Sequence, residues 1–368
     1  MKNSIRWSFV FFVLFSTFAK AQKGLENIIV EKYYISTAAD TIGTELGGYL
    51  PIGSVTYRVF ADLTPVHRLQ AIYGEAKHEL KIATTTRFFN CAKNDGKSST
   101  DIEPSYLKES TLLLDSWVSV GAACLDYQAV LKSTDDSLPT FVESNELNIL
   151  RNDEKDLGIP LTSRDGMKKL KLQPGAVFFN FDKELQNFQY AFRDSVDGII
   201  STLNGAWASF GGSVGPHPQN QVLLGQFTTD GVFSFELNLL IAIPGGGSEK
   251  FVAKNAVDSE FVFPALIYSS SPNNKSPQIL LAVDQQQKKK GVGAIELLAT
   301  ASDEDGKVVA VDFYVNDRLI YTDSSFPFTF SYHGNSKDVI ISASAIDDKG
   351  AKCRSKNIFL SDNIFQHD

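Results

Sequence analysis

From residue 295 to residue 330 apolar and polar side chains alternate with a period of two, and no other stretch of the chain limits its fold so tightly. Ile295, Leu297, Ala299 and Ala301 share one face of an extended segment, with Glu296 and Thr300 on the other. Val309, Val311, Phe313 and Val315 repeat the pattern opposite Asp312 and Tyr314. Successive strand side chains point to opposite faces, so one buried face demands this spacing. Polar turns punctuate it: Asp303, Glu304, Asp305 and Gly306, then Asn316 and Asp317, then Ser324 and Ser325. Val339, Ile341, Ala343 and Ala345 predict a further strand, closed by Asp347, Asp348, Lys349 and Gly350, and residues 352–360 a last one. Short strands at this density predict a two-sheet sandwich.

The order of features here resembles bacterial Ig-like repeats, which stand beside catalytic domains in secreted glycan-degrading enzymes and in surface adhesins. The resemblance rests on Ala301, on Asp303 to Gly306, on Phe313, Tyr314, Val315 and Asn316, on Asp323, on Pro327 and Phe328, and on Ala345 to Gly350. It implies an Ig-like β-sandwich over residues 277–362. It implies no reaction, since such modules are spacers in some proteins and binders in others.

Residues 22–268 predict a larger all-β unit, a β-sandwich or jelly roll. Val55, Tyr57, Val59, Ala61 and Leu63 alternate with Thr56, Arg58, Phe60 and Asp62. Phe233, Phe235, Leu237, Leu239, Ile241 and Ile243 make the longest alternation. Shorter strands are expected at 69–73, 80–85, 116–120, 176–181 and 221–227, with a helical turn or two at 102–113 and 183–193. Residues 269–276, with Ser, Pro and Asn, predict a linker. Gly245, Gly246 and Gly247 predict a hairpin loop. They lack the Gly-Lys pattern and following helix of a phosphate-binding loop. Segments such as Thr56 to Phe60, Asp115 to Gly121 and Gln221 to Thr228 resemble exported β-rich proteins of unassigned function. That resemblance implies kinship and no chemistry.

Residues 1–21 read as a secretory signal peptide. Lys2 and Arg6 precede an apolar run, and Ala19, Lys20 and Ala21 form an A-x-A site before Gln22. No Cys follows that site, so a lipid anchor is not expected, and residues 363–368 suggest no sorting segment. No later apolar run approaches the ~20 residues of a spanning helix. The mature chain is expected to be secreted or at the extracellular surface, with the periplasm as the other exported location. The chain has 27 Phe and 12 Tyr but two Met, a strand-forming balance. Its net charge is -8, and its one basic run is Lys288, Lys289 and Lys290, so nucleic acid is not an expected partner.

Cys91 and Cys124 are candidates for a disulfide in an oxidising compartment, leaving Cys353 inside a strand as a small hydrophobe. The five histidines, His67, His78, His217, His333 and His367, show no zinc-type spacing, and no Gly-x-Ser-x-Gly elbow occurs. Asp62, Asp115, Asp182 and Glu236 are the strand carboxylates that a glycosidase pair would draw on, and they equally suit solvated strand faces. Asp303 and Asp305 are the candidates for calcium, offering hard oxygen ligands at close range. The same residues belong in tight turns without a metal.

Sugar-binding modules present flat aromatic faces. Trp207, before a Gly-rich loop that runs to His217, is the best-placed candidate, followed by Tyr49 and His217. Trp207 also suits a core. Trp117 is expected in the core. The reading favoured is an exported, non-catalytic protein for binding or adhesion at the cell surface, with a glycan or a surface protein as partner. A secreted carbohydrate-active enzyme with an accessory Ig-like module and a structural subunit of a surface assembly are the alternatives.

Overall fold

The structure is a computed structural model. It describes residues 23–36, 50–90, 98–105, 112, 114–135, 142–143, 150–151, 166–170, 175–181, 198–271, 273–284, 295–334 and 339–360. It is all-β, with several packed sheets and no α-helix among the described residues. No helix there is long and apolar enough to cross a membrane.

The strands are β1 (Leu25–Ile35), β2 (Val55–Leu63), β3 (Arg68–Gly74), β4 (Leu80–Thr84), β5 (Trp117–Val118), β6 (Ala122–Cys124), β7 (Tyr127–Ala129), β8 (Val142–Glu143) and β9 (Leu150–Arg151). Then come β10 (Met167–Lys169), β11 (Val177–Phe179), β12 (Ile199–Thr202), β13 (Gly205–Ser213), β14 (Gln221–Thr229), β15 (Phe233–Glu236), β16 (Leu239–Ala242), β17 (Ser248–Val252), β18 (Phe261–Val262) and β19 (Ile267–Ser269). The C-terminal part holds β20 (Gln278–Val283), β21 (Ile295–Ser302), β22 (Val308–Val315), β23 (Arg318–Asp323), β24 (Phe328–Tyr332), β25 (Val339–Asp347), β26 (Lys352–Arg354) and β27 (Ile358–Leu360).

Three sheets enclose the main core: β1-β2-β14-β5, β11-β13-β3-β16-β17-β18 and β12-β4-β15-β19. Val59, Ile72, Ile82, Trp207, Leu224, Phe233 and Leu239 meet inside it. The alternation at 55–63 predicts a polar outer face, and here the structure differs. Thr56, Arg58 and Phe60 are buried too, because a second core with Tyr33, Trp117 and Tyr127 packs on the far side of β2 and β14. The Arg58 guanidinium is accommodated there by Gln226 Oε1 at 3.0 Å, the Gly166 carbonyl at 3.1 Å and the Tyr33 ring at 3.6 Å. Gly225 lets β5 close on β14, since a Cβ there would lie 2.9 Å from the Trp117 carbonyl.

The long alternation at 233–243 is two strands in two sheets. β15 pairs with β4, and β16 pairs with β3. The switch falls at Asn238, which is buried. Its amide nitrogen donates to the carbonyls of Tyr73, His78 and Glu79 at 3.1, 3.3 and 3.1 Å, and its Oδ1 accepts from Ala253 at 3.3 Å. One side chain thus satisfies the backbone that the two departing strands leave unpaired. Gly245, Gly246 and Gly247 form the β16–β17 hairpin turn with positive φ, as expected.

The C-terminal sandwich faces β20-β21-β24 against β23-β22-β25-β26, with β27 also on β25. Ile295, Leu297, Ala299, Val311, Phe313, Ile341, Ala343 and Ala345 fill its core, as the period of two requires. The expected helical segment at 183–193, the basic run at 288–290 and the leader lie outside the described residues.

Candidate functional site

The floor of the candidate site is one row of cross-strand neighbours on the outer face of the β12-β4-β15-β19 sheet. Ile199 stands beside Ala83, Ala83 beside Ser234, and Ser234 beside Ser269. Phe233 and Phe235, on either side of Ser234, point inward to the core, so parity sends Ser234 outward. Three of the four floor side chains are small, and the sheet surface is hollow as a result. The C-terminal sandwich supplies the opposite wall through Cys353, Ser355, Lys356 and Asn357, and the cleft between them holds about 390 Å³. Thr84, Thr85 and Thr86 line its end.

Hydrogen bonds and ion pairs hold the two walls. The Arg354 N–H donates to the Thr85 carbonyl at 2.9 Å, and the Thr85 hydroxyl donates to the Lys352 carbonyl. Arg87 donates to Asp317 and Asn357, and Arg354 Nη2 reaches the same Asp317 oxygen at 2.8 Å. The Arg354 guanidinium lies over the Tyr314 ring at 3.9 Å. Burial, and then the positive charge of Arg354, lower the Arg87 guanidinium to about 10 despite Asp317. Burial pushes the Cys353 thiol up, so it stays neutral in ordinary buffer.

The residues singled out from the sequence take different places. Trp207 is 0% exposed, donates its indole N–H to the Ser119 carbonyl at 3.0 Å and stacks on Phe181 at 5.6 Å. A ring so enclosed has no face for a sugar, and the expectation of binding at Trp207 is corrected to a core role. Trp117 is core as expected. His217 is exposed in the loop between β13 and β14. Tyr49, Cys91, Asp182 and His367 lie outside the described residues. Cys124 is buried in β6.

Three residues beyond Trp207, and so on the opposite face, the same strand carries an aromatic that the sequence reading passed over. Phe210 is 78% exposed and meets Phe179, 46% exposed, edge to face at 6.3 Å. Strand parity was the available signal: Trp207 and Ser209 face in, so Phe210 faces out.

Among the described residues, Asp62, Asp115 and Glu236 are spread over separate places. Asp62 sits opposite Gln221 at one end of β14, whereas Gln226 Nε2 holds the Asp115 carbonyl five residues along, roughly 17 Å of strand. Glu236 pairs with Lys254 at 2.8 Å. A His–carboxylate cluster that sequence spacing could not reveal joins Glu75, His78 and Glu260, whose ligand atoms lie within 4.8 Å of one another. Lys250 Nζ stands 3.0 Å from Glu75 and 3.6 Å from Glu260, supplying the positive charge a metal would bring. His78 Nε2 and Glu260 Oε2 are 2.8 Å apart. The group is an ion-pair network that staples the β3–β4 hairpin to β17 and to the segment before β18.

Of the calcium candidates, Asp305 is already occupied. Its Oδ2 pairs with Lys349 Nζ at 2.7 Å, and its Oδ1 accepts from the Lys275 N–H at 3.1 Å. Lys349 holds its carboxyl below the usual carboxylate range. Asp303 is different, with both oxygens shielded from solvent and no hydrogen-bond partner.

A family match agrees with the C-terminal architecture. The family described as bacterial Ig domain matches residues 284–343. A solved structure of the fibronectin(III)-like modules of Clostridium thermocellum CbhA is 28% identical over 23% of this chain and 97% of that chain, with a TM-score of 0.19. No curated protein matches.

Proposed function

We propose that this is an exported, non-catalytic β-protein that binds a ligand at the cell surface, and that the cleft between its two parts receives it. On this reading the chain divides into residues 22–268 and 277–362, with residues 269–276 between them. The observation that carries the reading is the cleft itself. Its floor is built from small side chains of adjacent strands, and its opposite wall is the Ig-like module, which gives that module a role beyond that of a spacer. The lining offers hydroxyls, an amide and cationic groups, which suit a hydroxylated or acidic ligand such as a glycan end. Its residues include no Asp, Glu or His, so the acid–base pair of a glycoside hydrolase is not among them.

A glycan-array screen of the chain from Gln22, run beside Ser234→Trp, tests this. The large side chain fills the cleft floor without entering the core. Binding by the parent that Ser234→Trp abolishes supports the reading. Binding that persists in Ser234→Trp moves the ligand elsewhere, and Phe179→Ala with Phe210→Ala is then the next pair to test. No binding to any glycan or surface extract by the parent overturns it.

The structural-subunit reading has one observation in its favour. β23 is an outermost strand, and Leu319, Ile320 and Tyr321 are exposed along it. Sedimentation over a concentration series decides it: assembly that Ile320→Lys prevents would support this reading against a monomeric binder.

A further inference from the structure

We infer that the cleft receives the end of an acidic glycan, and that Lys356 and Asn357, in the segment between β26 and β27, take its carboxylate or sulfate group. The inference rests on the cleft reading above and names the ligand class for it. What the lining lacks decides between neutral and charged sugars. Neutral sugars are commonly held by laying a ring against an aromatic face. None of the described residues lining this cleft is aromatic, and its apolar side chains include Ala83, Ile199 and Val232. Hydrogen bonding and charge are therefore its means of discrimination. A hydrogen bond between a cation and an acid group is roughly twice as strong as a neutral one. At about 390 Å³ the space lies near the lower end of small-molecule sites, which suits a terminal unit and not a long chain.

Charge in the cleft wall is not balanced. Arg87, Arg354 and Lys356 line it, and no described Asp or Glu does. Behind the wall, one oxygen of Asp317 accepts from both Arg87 and Arg354. Lys352 stands 3.9 Å from Asp230 and 3.7 Å from Asp312. On the floor side, Glu236 shares the outward face with Ser234 and is held by Lys254 at 2.8 Å. Asp230, Asp312 and Asp317 thus offset Arg87, Lys352 and Arg354. Lys356 remains, exposed and without an ion pair to any described residue. A chain of net charge -8 repels anions at long range, so a positive wall is a local departure from its surface. Asn357 adds a donor. Its Oδ1 accepts from Arg87 Nη2, which fixes the amide and turns Nδ2 away from Arg87. Nδ2 is enclosed and has no hydrogen-bond partner. A donor left unmade in such a place is costly, and an acid oxygen brought by a ligand would satisfy it. Lys356, the preceding residue in the same wall, supplies the charge that such a group needs.

A glycan array with neutral, uronic, sialic and sulfated terminal sugars tests the ligand class. It is probed with the chain from Gln22 and with Ser234→Trp, Lys356→Glu and Lys356→Arg, and the best binder is then titrated at low and high salt. Binding is expected on acidic spots alone and is lost in Ser234→Trp. It should fall at least tenfold in Lys356→Glu, stay near the parent's in Lys356→Arg and weaken as salt is raised. Lys356 is exposed, so its variants should fold as the parent does. Asn357→Asp keeps an acceptor for Arg87 and replaces the unpartnered donor by a negative charge, and it should weaken the same spots. The uronic and sialic arms against the sulfated arm tell carboxylate from sulfate, and a preference for either supports the inference. Neutral spots bound as well as acidic ones, with loss in Ser234→Trp, would overturn the acidic class and leave the cleft reading standing. Acid binding untouched by Lys356→Glu would overturn the inference, as would equal affinity for an oligoglutamate peptide. Binding that persists in Ser234→Trp, or no binding to any spot, would overturn both.

Discussion

The backbone N–H of Arg354 donates to the carbonyl of Thr85 at 2.9 Å, so main chain joins the Ig-like module to the larger β-unit. Beside that bond a single carboxylate, Asp317, receives both Arg87 and Arg354. The cleft keeps its width because these contacts fix its two walls.

Asp317→Ala leaves two enclosed guanidinium groups without their counter-ion. The expected loss is about 3 kcal/mol, read by chemical denaturation. Asp317→Asn keeps one acceptor and should lose less. A loss no larger than that of an exposed salt bridge would show that the two parts are not held through Asp317.

The acid limb of stability runs through Glu260. Burial alone would raise its carboxyl, but the Val257 N–H, His78 and Lys250 outweigh that and leave it below its ordinary value. As pH falls, the unfolded chain therefore takes up the proton first. The contribution is complete above about pH 4.5 and is lost as pH drops through the lower folded value. Glu260→Gln should cost about 2 kcal/mol at pH 7. Its melting temperature should approach that of the parent as pH is lowered to about 3.

Two aromatics on β13 should respond oppositely. Trp207→Ala opens a cavity in the main core and should cost about 4 kcal/mol. Phe210→Ala removes an exposed ring and should change stability by no more than about 0.5 kcal/mol. Equal losses in urea denaturation would contradict the parity of the strand.

Cys353 should react slowly. Burial raises its thiol, so little thiolate is present at pH 8. Iodoacetamide should label it more slowly in the folded chain than after unfolding in urea, as followed by peptide mass mapping.

The Ig-like module was readable because one of its faces is dry and the other is largely wet, as at Leu297 and Leu298. The larger part was readable in class and in most strand positions, but not in its layering. Thr56, Arg58 and Phe60 look like a solvent face and instead lie under a second core. Side-chain parity runs on through Leu237 and Leu239, so it could not reveal that the chain changes sheets at Asn238. The cleft floor joins Ala83, Ser234 and Ser269, which are neighbours only after pairing. The His78–Glu260 contact spans 182 positions, beyond any local spacing rule. Asp303 was visible as a turn acid, whereas the enclosure of its oxygens is a property of packing.

The enclosure of Trp117 and Trp207 has a practical consequence for following this chain in solution. The third tryptophan, Trp7, falls within the expected leader, and residues 277–362 contain none. Indole emission from a chain beginning at Gln22 therefore reports on the larger unit alone, whereas tyrosines lie in both, Tyr57 and Tyr127 in the larger and Tyr314 and Tyr321 in the smaller. Indole emission followed beside calorimetry would resolve the order in which the two parts melt, without attaching any label.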